Sequence, residues 1–132
     1  MLSQFEITIH KDFCSTSVIE CLPGKLNQVF MNIFTNAIQA IAGKGEIYIK
    51  TSTDKNSFYI SIKDTGKGMT EAVMNHIFEP FFSTKDPGKG TGLGLSISHS
   101  IIEKHNGKIS VISIPEKGTE FTIQIPRAQE KH

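Results

Sequence analysis

Excess charge, long apolar runs and cysteine are all scarce in this sequence, and each scarcity excludes a class of protein. The 132 residues carry 14 basic and 13 acidic side chains, a formal net charge of +1, which argues against a nucleic-acid-binding surface. No apolar run reaches about 18 residues, the length of a transmembrane helix. The N-terminus also lacks the basic start and apolar core of a signal peptide. We therefore expect neither nucleic-acid nor membrane contact.

Patterns that hold zinc are missing as well. Cys14 and Cys21 are the only cysteines, and they form no C-x-x-C pair or Cys/His cluster. Two reduced, packed thiols in a cytosolic domain are the simplest interpretation. With 132 residues, the chain has the size of one domain, which spans residues 1–132. Its hydrophobic residues, 38% of the total, are enough for a single core.

Alternation and helical periodicity predict a mixed order of elements. Strands are predicted where apolar and polar residues alternate, in residues 5–10, 46–52, 57–65, 108–114 and 119–126, with 16–22 as a shorter candidate. A long amphipathic helix begins near Pro23 and ends before Gly43. A short helix capped by Thr70 covers residues 70–78, and a second long helix covers 93–106. This order predicts a two-layer α/β sandwich, with about three helices on one face of a mixed, mostly antiparallel sheet.

A glycine-rich stretch, GKGTGLGLS in residues 88–96, leads into the second long helix. It is not a G-x-x-x-x-G-K-[ST] phosphate loop, and Leu95 occupies the third glycine position of a G-x-G-x-x-G fingerprint. Glycines nevertheless let backbone N–H groups approach an anion, and a helix N-terminus adds about half a positive charge. The stretch is either a phosphate-binding loop or a surface loop beside an ordinary helix.

Two asparagines interrupt the apolar face of the first long helix. Asn32 and Asn36 are four residues apart and therefore share a face. They are either solvated side chains or oxygen ligands for Mg²⁺, an ion that completes its coordination with phosphate oxygens and water.

A third stretch, DTGKGM in residues 64–69, follows a predicted strand. Asp64 with Gly66 and Gly68 is either an ordinary turn at a strand end or a buried acceptor for an exocyclic amine, with the glycines against the base.

The fourth stretch, IFEPFFSTK in residues 77–85, concentrates aromatic side chains at the edge of a loop. Its phenylalanines either pack in the core or form a hinge that contacts a partner. Lys85 follows them and could reach a phosphate.

Together and in order, these stretches resemble the catalytic, ATP-binding domain of sensor histidine kinases. That superfamily also contains gyrase-type topoisomerases, Hsp90-type chaperones and MutL repair proteins. LNQVFMNIFTNAIQAI is similar to the N box, DTGKGM to the first glycine box, IFEPFF to the F box and GKGTGLGLS to the second glycine box. EKGTEFTIQIP resembles the closing hairpin. The resemblance covers about residues 4–126 and implies the α/β sandwich known as the Bergerat fold.

The resemblance implies a role for each matching position. Asn36 would hold the Mg²⁺ that bridges the ATP phosphates, and Asn32 would support the phosphate site. Asp64 would accept a hydrogen bond from the adenine amino group, and residues 83–92 would form the ATP lid. The other implied ATP-binding positions are Gly66, Gly68, Lys85, Gly90, Thr91, Gly92, Leu93, Gly94 and Thr119.

One position separates the members of the superfamily. Hydrolysing relatives carry a glutamate one turn before the metal-binding asparagine, where it activates water. Asn32 occupies that position here, and an amide cannot act as a base. The resemblance therefore implies phosphoryl transfer. A gyrase- or chaperone-type ATPase, a serine-directed kinase and a non-catalytic nucleotide-binding module remain the alternatives.

Histidine kinases are phosphorylated on a histidine followed by Glu or Asp, and none of the five histidines has that context. We therefore expect a monomeric fragment that binds ATP–Mg²⁺ but does not autophosphorylate. Its implied partners are the dimerisation domain, contacted by Phe78 and Phe81, and a downstream response regulator. The implied location is the cytoplasm, including the cytoplasmic part of a membrane-anchored sensor.

Overall fold

The computed structural model describes residues 6–12, 24–80 and 94–126. Its elements in chain order are β1 (Glu6–Asp12), α1 (Gly24–Ala40), β2 (Lys44–Thr53), β3 (Ser57–Asp64), α2 (Glu71–Met74), α3 (Gly94–Lys104), β4 (Lys108–Ile114) and β5 (Gly118–Pro126). The predicted two-layer α/β sandwich is confirmed. The predicted short strand at residues 16–22 lies outside the described residues.

The five described strands form one sheet in the order β1-β2-β3-β5-β4. Strand β1 runs parallel to β2, because α1 crosses over between them, and the other three pairings are antiparallel. Short turns join β2 to β3 and β4 to β5. The sheet thus places the end of β3 between two neighbours, β2 and β5.

One face of the sheet packs against the helices and carries the core. Alternate residues of each strand point to this face, and the helices add their own apolar stripes. The apolar side chains with almost no exposed surface are Val29, Ile33, Ile47, Ile60, Ile62, Ile102 and Ile123. Burial of each such side chain contributes roughly 1.5–3 kcal/mol, so this layer holds the two long helices firmly on the sheet.

The short helix α2 differs from its prediction. Thr70 is its N-cap, as expected, and its Oγ1 accepts the Val73 N–H at 3.2 Å. The helix stops at Met74, however, because the His76, Ile77 and Glu79 N–H groups bond three residues back instead of four. His76 N–H donates to the Val73 carbonyl at 2.9 Å, and Ile77 is pulled into the core. Residues 75–78 are therefore turns.

Helix α3 ends at Lys104, two residues before the predicted end, and the chain turns at Asn106 and Gly107. Asn106 has a φ of 61°, a left-handed conformation that asparagine tolerates. The Gly107 N–H then returns to the Ile102 carbonyl at 2.9 Å and satisfies one of the last helical carbonyls. This turn sends the chain directly into β4.

Candidate functional site

Asp64 is the last residue of β3, the middle strand of the sheet. It is only 3% exposed, and its Oδ1 accepts the Gly66 N–H at 2.8 Å. No cation pairs with it in the described part of the chain. A buried acceptor without a countercharge is costly, so this carboxylate is a candidate for binding a donor from outside the chain.

The environment of Asp64 changes its titration. Burial raises its pKa above the ordinary value of 3.8, and backbone hydrogen bonds from Gly66 and Thr119 partly oppose the rise. Desolvation is therefore the dominant influence. A hydrogen-bond donor that approached the carboxylate would stabilise its charged form and relieve part of this cost.

Thr119 lies beside Asp64 because the two are register partners in the β3–β5 ladder. Its Oγ1 lies 2.8 Å from Ser113 Oγ. The same Ser113 Oγ lies 2.9 Å from the Gly118 carbonyl oxygen and accepts the Met69 N–H at 2.8 Å. If the single Ser113 hydrogen goes to Gly118, the Thr119 hydroxyl donates to Ser113 and keeps its lone pairs for another donor. The network thus holds Thr119 in a fixed orientation beside the carboxylate.

The turn after Asp64 is wedged between two elements. The Lys67 N–H donates to the Ala40 carbonyl at the end of α1 at 3.1 Å, and the Lys67 carbonyl accepts the Glu116 N–H at 2.7 Å. A methyl group on Gly66 would lie 2.4 Å from the Ala40 carbonyl oxygen, and one on Gly68, whose φ is +68°, would lie 2.1 Å from the Ile114 oxygen. Close backbone packing therefore requires glycine at both predicted positions, whether or not a ligand binds there.

Asn32 and Asn36 are both half-buried on α1. The Asn32 amide reaches α3: its Nδ2 donates to the Gly94 carbonyl at 3.3 Å and to Ser98 Oγ at 3.2 Å. Ser98 in turn donates to the Gly94 carbonyl at 2.9 Å. These bonds bring Asn32 and Gly94, two predicted phosphate-site residues, into direct contact.

One face of α1 connects the two groups of predicted residues. Asn32, Asn36 and Ala40 are four residues apart, so they lie in a row along the helix. The row meets the first turn of α3 at Asn32 and the Lys67 turn at Ala40. The helical rise separates these points by about 12 Å. Asn36 therefore lies between the Asp64 end and the α3 end of the site.

Phe78 is half-buried and packs inward. Its ring lies 5.0 Å from the His99 ring and 6.5 Å from the Phe121 ring, the latter edge-on. These contacts fix the turn after α2 against α3 and the sheet. Docking of a partner by Phe78 stays a prediction, and Phe81 lies outside the described residues.

Several other predicted positions also lie outside the described residues. These are the lid at residues 83–92, which contains Lys85, Gly90, Thr91 and Gly92, then Leu93, and the two cysteines, Cys14 and Cys21. In residues 6–12, 24–80 and 94–126 no His, Cys, Asp or Glu cluster could hold a metal ion. No helix in that same part of the chain is long and apolar enough to cross a membrane.

A cavity of about 780 Å³ lies on the face of the sheet opposite the described helices. Asp64 and Thr119 border it, but their side chains are buried on the helix side, while Tyr48 and Lys63 point into the open face. This cavity does not contain Asn32, Asn36 or Gly94. The arrangement of predicted residues therefore favours the helix side of the sheet as the functional site.

Sequence reasoning missed Ser113 and Ser98. Ser113 is the one polar residue at an inward position of β4, after Ile109 and Val111. The alternation of the strand could therefore have predicted a buried serine here. Ser98 is separated from Asn32 by 66 residues, and no local pattern links them.

Known proteins are similar to this chain in both sequence and fold. A family model described as "Histidine kinase-, DNA gyrase B-, and HSP90-like ATPase" matches residues 21–129. Sporulation kinase A of Bacillus subtilis (strain 168) is 46% identical over 103 residues, which are 78% of this chain and 17% of that protein. Sensor histidine kinase ZraS of Salmonella typhi is 42% identical over 111 residues, which are 82% of this chain and 23% of that protein.

The same relationship appears among solved structures. The catalytic domain of histidine kinase ThkA, in a nucleotide-free form, has a TM-score of 0.78 and 32% identity, covering 92% of this chain and 80% of that one. The fold is that of a histidine kinase catalytic domain, a two-layer α/β sandwich. The chain belongs to the family of histidine kinase-, DNA gyrase B- and HSP90-like ATPases. It spans 17% and 23% of the length of the two curated relatives named above.

Proposed function

We propose that this chain is the catalytic domain of a histidine kinase, which holds ATP–Mg²⁺ and donates the γ-phosphoryl group to a histidine of a separate dimerisation domain. Asp64 carries the proposal. It is a carboxylate 3% exposed, without a cation among the described residues, and its pKa is raised by burial. The exocyclic amino group of adenine would add an N–H donor from outside the chain to those that Gly66 and Thr119 supply.

Asn36 would hold the Mg²⁺. Magnesium binds few protein oxygens and completes its octahedron with phosphate oxygens and water. Asn36 is a half-buried residue that can supply one amide oxygen, and no cluster of His, Cys, Asp or Glu in the described residues offers the ion another site. When bound, the ion neutralises charge on the phosphates during transfer.

The start of α3 would receive the phosphates. Gly94 opens an eleven-residue helix, and a helix N-terminus presents free N–H groups and partial positive charge to an anion. A nitrogen of the acceptor histidine bonds to the γ-phosphorus as its bond to the bridging oxygen breaks, and ADP leaves. The domain contributes position and charge stabilisation, while the nucleophile comes from the partner.

Asn32 argues against hydrolysis of the donor. Its amide is not a base, and its Nδ2 is engaged by Gly94 and Ser98 at 3.3 and 3.2 Å. A kinase that lacked a water-activating base at this position would retain ATP for the acceptor histidine.

The relatives extend the proposal to the pathway. Two curated relatives are a sporulation kinase and a sensor histidine kinase, each much longer than this chain. We propose that the parent protein carries a dimerisation domain, passes its phosphate to an aspartate of a response regulator, and acts in the cytoplasm. Phe78 and Phe81 would contact the dimerisation domain.

The test is a calorimetric titration of the chain with the non-hydrolysable analogue AMPPNP and Mg²⁺. We expect saturable binding by the wild type and a loss of the magnesium-dependent part in Asn36→Ala. Asn27→Ala, on the exposed side of the same helix, is the matched control and should bind like the wild type. Wild-type affinity in Asn36→Ala would contradict the metal assignment, and no binding by the wild type would contradict the function.

The phosphorylated product separates the kinase from its rivals. With labelled ATP and the dimerisation domain of the parent protein, we expect an acid-labile, base-stable phosphohistidine. An acid-stable phosphoserine would indicate a serine-directed kinase. Steady release of inorganic phosphate by the chain alone would indicate an ATPase.

A further inference from the structure

Ser98 occupies an unusual place in the contact between α1 and α3. It is completely buried, with 0% of its surface exposed, although it lies only one turn after Gly94. Its Oγ lies 2.9 Å from the Gly94 carbonyl and 3.2 Å from the Asn32 Nδ2. The phosphoryl transfer described above assigns no role to it.

The donors and acceptors in this contact can be assigned from their chemistry. A serine hydroxyl has one hydrogen and two lone pairs, and a carbonyl can only accept. The Ser98 hydrogen therefore goes to the Gly94 carbonyl, and its oxygen remains as the acceptor for the Asn32 amide. The Asn32 Nδ2 group also donates to Gly94. Both helices are thus joined at the Gly94 carbonyl and the Ser98 hydroxyl.

This contact fixes the orientation of the Asn32 side chain. An amide is planar, so a nitrogen that faces α3 leaves the amide oxygen on the other side. Without Ser98 Oγ, Nδ2 would keep one acceptor, the Gly94 carbonyl at 3.3 Å, and the amide could rotate. The same bonds hold the first turn of α3 against the α1 face that carries Asn36.

A buried serine that bonds the carbonyl four residues back is common in helices and alone means little. The second bond distinguishes Ser98, because it crosses to a polar residue of another helix. Ser57, which is 5% exposed, offers the contrast. It accepts from Gln124 at 3.3 Å on the sheet, and no predicted site residue touches it in the described contacts.

We propose that Ser98 is a positioning residue of the nucleotide site, which orients the Asn32 amide and holds the first turn of α3 where the triphosphate binds. The inference rests on the proposed function. It concerns the phosphate end of the site and leaves the adenine end at Asp64 unaffected.

The experiment compares two ligands in wild type and Ser98→Ala. AMPPNP with Mg²⁺ engages both ends of the site, whereas adenosine engages only the base end. Loss of one neutral hydrogen bond predicts an affinity for AMPPNP–Mg²⁺ lower by about fivefold, with adenosine affinity unchanged. Ser57→Ala removes another buried serine hydroxyl, away from the predicted site residues, and should leave both affinities at the wild-type level.

A second variant and a spectroscopic readout protect the test against misfolding. Ser98→Cys keeps nearly the same volume but supplies a weaker acceptor, so it should fold and show the same selective loss. The side-chain amide resonance of Asn32, observed by nitrogen-15 NMR, should shift in either variant. Should Ser98→Ala fail to fold, Ser98→Cys decides.

Three outcomes would overturn the proposal, and they are distinguishable. Equal losses for AMPPNP and adenosine would give Ser98 a general structural role. Unchanged AMPPNP affinity with an unmoved Asn32 resonance would leave the function intact and remove only this inference. Absence of AMPPNP binding by the wild type would remove both.

Discussion

At the Asp64 end of the proposed nucleotide site, neighbouring strands hold the side chains by backbone register, whereas at the Asn32 end two helices meet through side-chain bonds. Thr119 faces Asp64 in the β3–β5 ladder, and Ser113 faces Thr119 in the β4–β5 ladder. Asn32 reaches Gly94 and Ser98 only through its amide. The first arrangement cannot change without breaking the sheet, while the second can change by rotation of one side chain.

The two ends should therefore respond differently to substitution. A change at the base end disturbs packing between β3, β4 and α1, so its effects reach the stability of the domain. A change at the phosphate end removes an interhelical bond and alters the response to the phosphates. The following substitutions, from the largest expected effect to the smallest, test this difference.

Gly68→Ala should have the largest effect. The added methyl would lie 2.1 Å from the Ile114 carbonyl oxygen, and the φ of +68° disfavours any L side chain. We expect the free energy of unfolding to fall by about 3 kcal/mol, measured by urea denaturation, and adenosine binding to be lost. Gly24→Ala is the control, because its methyl would meet nothing within 4 Å. A Gly68→Ala domain as stable as the wild type would show that the base end is less rigid than its contacts indicate.

Asp64→Asn should separate affinity from stability. Replacing a charged acceptor by a neutral one should weaken AMPPNP–Mg²⁺ binding by about tenfold to a hundredfold. Burial raises the pKa of Asp64 in the folded state. The protonated carboxyl therefore contributes stability that is fully present at pH values below the unfolded-state pKa. That stability is lost as the pH rises through the folded pKa. The variant should therefore gain stability relative to the wild type as the pH increases.

Urea titrations from about pH 4 to pH 7 measure this difference. The control is Asp54→Asn in the β2–β3 turn, where Oδ1 accepts the Asn56 and Ser57 N–H groups at 2.8 Å. It should lower stability slightly and leave nucleotide affinity unchanged. If Asp64→Asn showed the same dependence of stability on pH as the wild type, the titration of a buried Asp64 carboxyl would be contradicted. For the wild type, AMPPNP affinity should fall as the pH drops through the raised pKa.

Ser113→Ala should act at the base end only. It leaves the Met69 N–H and the Gly118 carbonyl without the partner at 2.8 and 2.9 Å. We expect the free energy of unfolding to fall by about 1–3 kcal/mol. Adenosine and AMPPNP should weaken by the same factor, because Thr119 loses its orientation. A loss confined to AMPPNP would give Ser113 the behaviour expected of Ser98 and would contradict the division between the two ends.

The same division decides how much could be predicted from the sequence. Local patterns selected Asp64 as a candidate, because an alternating strand ends there before two glycines, and Asn32 and Asn36, because they share a helix face. Alternation and periodicity also predicted the layered fold. Local patterns extended the short helix through residue 78, whereas burial of Ile77 favours tight turns after Met74.

Contacts between distant segments could not be predicted in this way. The bond between Ser98 and Asn32 joins residues 66 positions apart, and it exists only once α1 and α3 pack together. The pairing of Ser113 with Thr119 required the register of a hairpin whose turn includes Glu116 at a φ of 67°. Tertiary packing, and not local propensity, determines both.

Tyr48→Phe, on the face of the sheet opposite the described helices, should have the smallest effect and tests on which side of the sheet the nucleotide binds. The Tyr48 hydroxyl donates to Glu46, and its ring stacks on His10 at 4.5 Å. The substitution removes the largest influence that lowers the pKa of the Glu46 carboxyl, so that pKa should rise in a carbon-13 NMR titration. AMPPNP affinity should stay within about twofold of the wild type, because surface substitutions remote from a site have small effects. Tyr48 lines the cavity of about 780 Å³ that lies across the sheet from Asn32. A large loss of affinity would therefore indicate that the nucleotide binds in that cavity, and it would contradict the assignment of Asp64 and Asn32 to the two ends of one site.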